Sequence, residues 1–388
     1  MKNFINNSNN PIHPLPERLK EARLARGMSA LQLASELGVT RQAISRYEQG
    51  DLNPKAEILR QMSIILNFPI SFFTLESACR ENIDGTTFFR SLKSTDTNVR
   101  DMIKIRNSWT KSVFREYEHY LKFPQIDIPN FDDIVSNNMP LTLDIIEEIA
   151  LNLRKYWGLS IGPISNMTLL LEQKGCIISG ADTGQDKADA CSQKNNSRLF
   201  IFLGQDKKSA VRTRFNLAHE IGHYVLHPDI TDEDLKDTDI LKRIEKEANM
   251  FASSFLLPRE SFSMEIMSLS LQHFITLKQR WKVSIAAMIY RCHEMGIITD
   301  DQTLNLRKQM AMKRWNKCEP LDDELPIESP HLLKSATKML IERGARSPYD
   351  LIETFKLPIN DFESICGLEN NTLFPENNIV HIDFKNNN

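Results

Sequence analysis

One stretch constrains this chain more than any other: Phe215 to His227, read FNLAHEIGHYVLH. Phe215, Leu217, Ala218, Ile221 and Leu226 make the apolar side of a buried helix, and Pro228 supplies its stop. Inside that helix His219, Glu220 and His223 form an H-E-x-x-H arrangement. Residues four apart lie on one face. Two imidazoles so spaced can grip one zinc ion, and the glutamate between them can take a proton from bound water. Chance alone produces the three fixed letters in a chain this long on the order of 1% of the time. The competing reading is a satisfied pair of core histidines.

A zinc site of this kind needs a third protein ligand. Asp229 and His227 are near in sequence, as are the carboxylates of the next helix. Imidazoles at 219, 223 and 227 would span about 12 Å along one helix axis. Ligands must sit about 2 Å from one ion, so a second helix is the better source. Residues 240–257, ILKRIEKEANMFASSFLL, read as that helix, with Ala248, Phe251, Ala252 and Phe255 facing the core. Glu247 adjoins this stripe and is the expected ligand. Glu245, about 200° away from it round the helix, reads as a solvated surface acid.

The N-terminal part has a different pattern. Residues 1–14 are rich in Asn and Pro and read as disordered. Short helices follow. Ser29 can cap one, with Gln32 as its capping-box partner, and Gly38 ends it. Thr40 caps the next, RQAISRYEQ, which Gly50 closes. Two short helices joined by a tight Gly-containing turn are a helix-turn-helix signature. Ala43, Ile44 and Tyr47 face inward, leaving Arg41, Gln42, Ser45 and Arg46 outside. Gln can bridge the adenine edge and Arg the guanine edge, while Thr40 can meet a phosphate. Charge agrees. Residues 1–70 carry nine Lys/Arg against six Asp/Glu, net +3, which leaves −6 on the rest of a chain whose net charge is −3. A basic head on an acidic body suits a DNA-reading module attached to something else.

At 388 residues, two or three domains are expected. The expected fold class is multidomain: an all-α helix-turn-helix bundle, then an α+β zincin-like metallopeptidase domain, then a helical C-terminal region. The boundaries are drawn at 15–75 for the bundle, 76–140 for a helical linker and 141–265 for the metal domain. A helical subdomain at 266–320 and a C-terminal region with a tail at 321–388 complete the chain. EPLDDELPIESP, residues 319–330, reads as an acidic linker, and the last residues as a short strand. Two strands are expected, at Cys176–Ser179 and Leu199–Leu203. The six cysteines form no C-x-x-C pair, no signal peptide is visible, and no apolar run approaches a membrane span. A cytoplasmic chain is the simplest expectation.

Two resemblances add to this. The stretches SALQLASELGVTRQAISRYEQG and NPKAEILRQMSIILNFPISFF resemble the lambda-repressor-like (Xre-type) helix-turn-helix domain. That resemblance implies double-stranded operator DNA as partner and a homodimer, with Arg41, Gln42, Ser45 and Arg46 as recognition-helix contacts and Glu48 as a structural residue. FNLAHEIGHYVLH and EKEANMFASSFLLP look like the ImmA/IrrE metallopeptidase family, as do WGLSIGPISNMTLLLEQKG and the DAC segment at Asp189. This implies zinc on His219, His223 and Glu247, Glu220 as catalytic base, and a repressor or other regulatory protein as substrate. The alternative is a DNA-binding regulator or antitoxin-like scaffold whose metal site is structural or sensory.

Overall fold

The structure, a computed structural model, describes residues 13–74, 87–89, 96–184, 190–195, 198–206 and 209–375. The N-terminal helices are α1 (Pro16–Ala25), α2 (Ala30–Leu37), α3 (Arg41–Gln49), α4 (Ala56–Leu66) and α5 (Ile70–Thr74). Strand β1 (Thr87–Phe89) precedes α6 (Thr97–Glu118), α7 (Asp132–Asn137), α8 (Leu143–Tyr156) and α9 (Met167–Gln173). Strands β2 (Ile177–Ala181), β3 (Ala190–Asn195) and β4 (Arg198–Gly204) lead into α10 (Ala210–Leu226) and α11 (Thr238–Leu256). Then come α12 (Arg259–Met264), α13 (Leu271–Trp281), α14 (Ile285–Glu294) and α15 (Asp300–Met312), and finally α16 (Leu332–Glu342), α17 (Pro348–Phe355) and α18 (Ile359–Ile365). The architecture is an all-α N-terminal bundle, a mixed α/β region and a helical C-terminal region. Residues 1–12, Asp189 and residues 376–388, the expected tail strand included, lie outside the described residues.

Two compact units emerge. The described residues of the first are 13–74, 96–120 and those from 336 to 375. Its helix-turn-helix is built from local signals. Ser29 and Gln32 make a reciprocal capping box on α2, Gly38 ends that helix at φ 64°, and the Thr40 hydroxyl accepts from the Ala43 amide. Both ends of the turn are thus satisfied by side chains or by a left-handed glycine. Arg23 of α1 grips both carboxylate oxygens of Glu48 at 2.6 and 2.7 Å, fixing α3 against α1. Residues beyond the bundle complete the unit. Trp109 of α6 donates to the buried Glu21 at 2.6 Å, and its ring meets Phe68 edge-on. From the C-terminal region, Asp361 pairs with Arg26 at 2.7 Å and Thr337 bonds the Tyr117 hydroxyl at 2.7 Å. Helix α18 was not expected from the sequence; Phe362 and Ile365 bury its apolar face.

The second unit holds residues 87–89 and the described residues of 121–335. Its sheet runs β1-β3-β4-β2, with β2 parallel to β4 and both β1 and β4 antiparallel to β3. Strand β3, ACSQKN, was not foreseen: it lacks a β-branched run, and pairing on both edges makes it a strand. The helix expected from Pro163 starts instead at Met167, where the Asn166 side chain caps it. Helix α10 lies on β3 and β4 and packs along α11, which packs in turn on α8. The contact of α10 with α11 is close because residue 222 is glycine: a Cβ there would sit 3.1 Å from Phe251 and 3.2 Å from the Ala248 backbone. The acidic stretch 319–330 is no loose linker. Glu319 accepts from the Ile285 and Ala286 amides and pairs with the buried Lys278, which Asp322 also meets. Glu328 accepts from the Met167 and Thr168 amides and pairs with the buried Arg214 of α10.

Candidate metal centre

Helix α10 is capped at its start by the Ser209 hydroxyl and stops at Leu226, with His227 as its C-cap just before Pro228. It carries His219, Glu220 and His223 to full burial, each 0% exposed. The histidine Nε2 atoms converge to 3.0 Å. The third group is Glu245 of α11, with one oxygen 3.3 Å from His223 Nε2 and the other 3.5 Å from His219 Nε2. One ligand atom from each of the three lies within 4.8 Å of the others. Ligands about 2.05 Å from one tetrahedral ion stand about 3.3 Å apart, so these three atoms fit one face of such a site. Lone pairs this close repel until a proton or a cation sits among them. Burial pushes the Glu245 carboxyl up, but the hydrogen bonds and charge of His219 and His223 outweigh it and hold it at about 2.

The sequence reading placed Glu247 here and Glu245 on the surface. The structure brings Glu245 to the histidines, and Glu247 instead meets His227 Nε2 at 2.9 Å with Arg243 at 3.6 Å. The reason is the reference used. Measured from Glu247, Glu245 is about 200° away. Measured from Ala252, seven residues on, it is about 20° away. The face that approaches α10 is the one holding Ala248 at the Gly222 contact, and Glu245 is on that face.

Outer partners orient both histidines. His219 Nδ1 lies 3.1 Å from Asn249 Oδ1, four residues after Glu245 on the same face. His223 Nδ1 lies 3.1 Å from His227 Nδ1. With a cation among the three ligating atoms, a neutral assignment satisfies the outer links: His219 Nδ1–H donates to Asn249, His223 Nδ1–H donates to His227 Nδ1, and His227 Nε2–H donates to Glu247. Both ligating Nε2 atoms are then left as lone pairs facing Glu245. His227 is held well below the usual imidazole range, first by burial and then by His223 and Arg243, which agrees with its neutral place in that chain. Burial outweighs Arg243 and raises the Glu247 carboxyl. Glu220 accepts a 2.5 Å hydrogen bond from the Ser192 hydroxyl of β3. Nothing in the motif names Ser192. Two residues before Lys194 in a polar-looking segment, it becomes visible only once β3 is laid along α10.

The second candidate surface is α3. Thr40, Arg41, Gln42, Ser45 and Arg46 are all exposed, while Ile44 and Tyr47 are buried. The four helical members span an arc of about 140° on one side of α3.

Comparison with known proteins divides the chain the same way. Residues 172–293 match the family described as IrrE N-terminal-like domain (Peptidase_M78), and residues 19–73 match the helix-turn-helix family. The chain therefore carries an N-terminal Xre-type helix-turn-helix domain joined to an IrrE-like peptidase-family domain. It is 43% identical over 53 residues to a putative HTH-type transcriptional regulatory protein of Methanococcoides burtonii, covering 14% of this chain and 16% of that one. It is 42% identical over 65 residues to an uncharacterized HTH-type transcriptional regulator of Sinorhizobium medicae, covering 16% and 47%. An SPbeta prophage-derived uncharacterized HTH-type transcriptional regulator of Bacillus subtilis is 34% identical over 68 residues, covering 18% and 63%. The match thus spans less than two thirds of each of these relatives. Among the described residues no helix is long and apolar enough to cross a membrane.

Proposed function

We propose that this protein is an operator-binding transcriptional regulator, acting as a homodimer in the cytoplasm, whose metal centre is a zinc endopeptidase that cuts a repressor or another regulatory protein. The observation that carries the reading is the convergence of His219, His223 and Glu245 beside a buried glutamate. A structural site needs no such neighbour. His219, His223 and Glu245 are the residues that would hold the ion. Zinc bound there supplies Lewis acidity, lowering the pKa of a water and stabilising charge that develops on a carbonyl oxygen. The chain's own residues do the rest. Glu220 is the group that takes a proton at its carboxylate and returns it to the leaving amine. Ser192, donating to Glu220 Oε2, fixes that carboxylate's orientation. Asn249 and His227 hold the two imidazoles with Nε2 presented. On α3, Arg41, Gln42, Ser45 and Arg46 are the proposed base readers, with Thr40 at a phosphate.

The test compares zinc-loaded wild type with Glu220→Gln in a lysate, reading new protein termini by mass spectrometry. Discrete cleavage that needs Glu220 is expected. Identical termini in both samples, with zinc and operator binding retained, would leave a structural or sensory metal site in its place.

A further inference from the structure

The sheet order puts β1 on the outer edge of β3, and without β1 that edge would be open. Strand β3 is also the strand that reaches the proposed catalytic base, through Ser192. Phe88 is the register partner of Ser192, with Thr87 opposite Gln193 and Phe89 opposite Cys191. Directly opposed residues in an antiparallel pair lie about 5 Å apart, so the backbone of 87–89 passes alongside the residue that holds Glu220. An open sheet edge binds an extended peptide through its main-chain hydrogen bonds, largely regardless of sequence. A peptidase needs its substrate extended and fixed beside the base.

We infer that the outer edge of β3 is the peptide-docking edge of this centre, and that residues Thr87–Phe89 of the same chain hold it as an internal competitor. The inference rests on the peptidase reading above. Among the described residues β1 pairs with Cys191–Gln193, three of the six residues of β3. A longer peptide can pair along all six and gain more ladder bonds than these three residues make. The advantage of β1 is its tether, which gives it an effective concentration in the millimolar range. Weak local pairing held by a tether suits an occupant that is displaced rather than one that is permanent.

The experiment uses the full-length, zinc-loaded chain in the Glu220→Gln background, so that binding is read without turnover. The probe is a fluorescein-labelled peptide of this chain's residues 84–93, DGTTFFRSLK. Phe88→Pro/Phe89→Pro is the displacing variant. Adjacent residues of a strand point their amides to opposite sides, so one of the two prolines removes an N–H aimed at β3. The peptide is expected to bind this variant at least tenfold more tightly than the parent. Equal binding, with an unchanged melting temperature, would overturn the inference. Thr87→Gly/Phe88→Gly/Phe89→Gly keeps every amide and serves if the proline variant does not fold. Its amides at Cys191–Gln193 should exchange hydrogen faster and slow again when peptide is added; no change in exchange would equally overturn the inference. Tighter binding with no cleavage once Glu220 is restored would keep the docking edge and remove the peptidase. Cleavage at the same rate in parent and variant, with equal peptide binding, would do the reverse.

Discussion

Glu245 and Glu247 stand two residues apart on α11, and the helix turns about 200° between them, so one carboxylate meets the paired histidines and the other meets His227. Their substitutions should separate. Glu245→Ala removes one of the three proposed ligands and should weaken zinc binding at least 100-fold, read by competition with a chromophoric chelator. Glu247→Gln disturbs the outer link to His227 and the pairing with Arg243, and should cost about tenfold. Equal losses would overturn this assignment. The motif in α10 was legible because it is local: spacing alone puts His219 and His223 on one face. The third ligand depends on which side of α11 packs on α10. That is decided where Gly222 meets Ala248: the sequence puts Ala248 on the core face, but only the contact with glycine shows which part of that face lies against α10. Ser192, Asn249 and His227 were illegible for a related reason: each acts through a contact with another element.

Helices whose ends are capped in sequence were read well. Ser29 with Gln32, Thr40, Gly38 and Gly50 mark α2 and α3 by local chemistry alone. Elements defined by a distant partner were not. The carboxylates of 319–330 looked like linker solvation, yet Glu319 and Glu328 cap α14 and α9 and neutralise buried Lys278 and Arg214. Packing of α10 on α11 makes its own prediction. Gly222→Ala forces the two helices apart by a few tenths of an ångström, which should cost about 1–3 kcal/mol and loosen Glu245 from the histidines. Thermal melts with and without zinc read both effects. A pH effect belongs to α9. Burial raises the Glu172 carboxyl to about 7, against hydrogen bonds from the Leu332 and His331 amides. A folded pKa above the ordinary value of 4.5 means the fold favours the protonated form. The contribution is therefore complete below about pH 4.5 and is lost as pH rises through 7, by at most about 3 kcal/mol. Glu172→Gln should flatten the fall in melting temperature across that window.

At the scale of the molecule, the first unit is discontinuous in sequence. Leu340, Leu351 and Phe362 of the C-terminal helices are buried, and Asp361 and Thr337 reach Arg26 and Tyr117. The boundaries drawn from the sequence ran linearly, since nothing in composition signals a return to the start. A chain ending at residue 335 should therefore lose stability in its helix-turn-helix unit and bind operator DNA less tightly than full-length protein. Limited proteolysis and gel-shift titration test this; an unaffected operator affinity would mean the bundle with α6 is self-sufficient.

That discontinuity fixes an order of events at the ribosome. The helix-turn-helix emerges first, but the helices that complete its unit lie after residues 121–335, the whole of the second unit's long segment. At roughly 5–20 residues per second, the nascent bundle waits about 10–40 s for them. The second unit's residues have left the exit tunnel by then. A product stalled before residue 336 would carry the residues of the candidate metal centre but an incomplete helix-turn-helix unit.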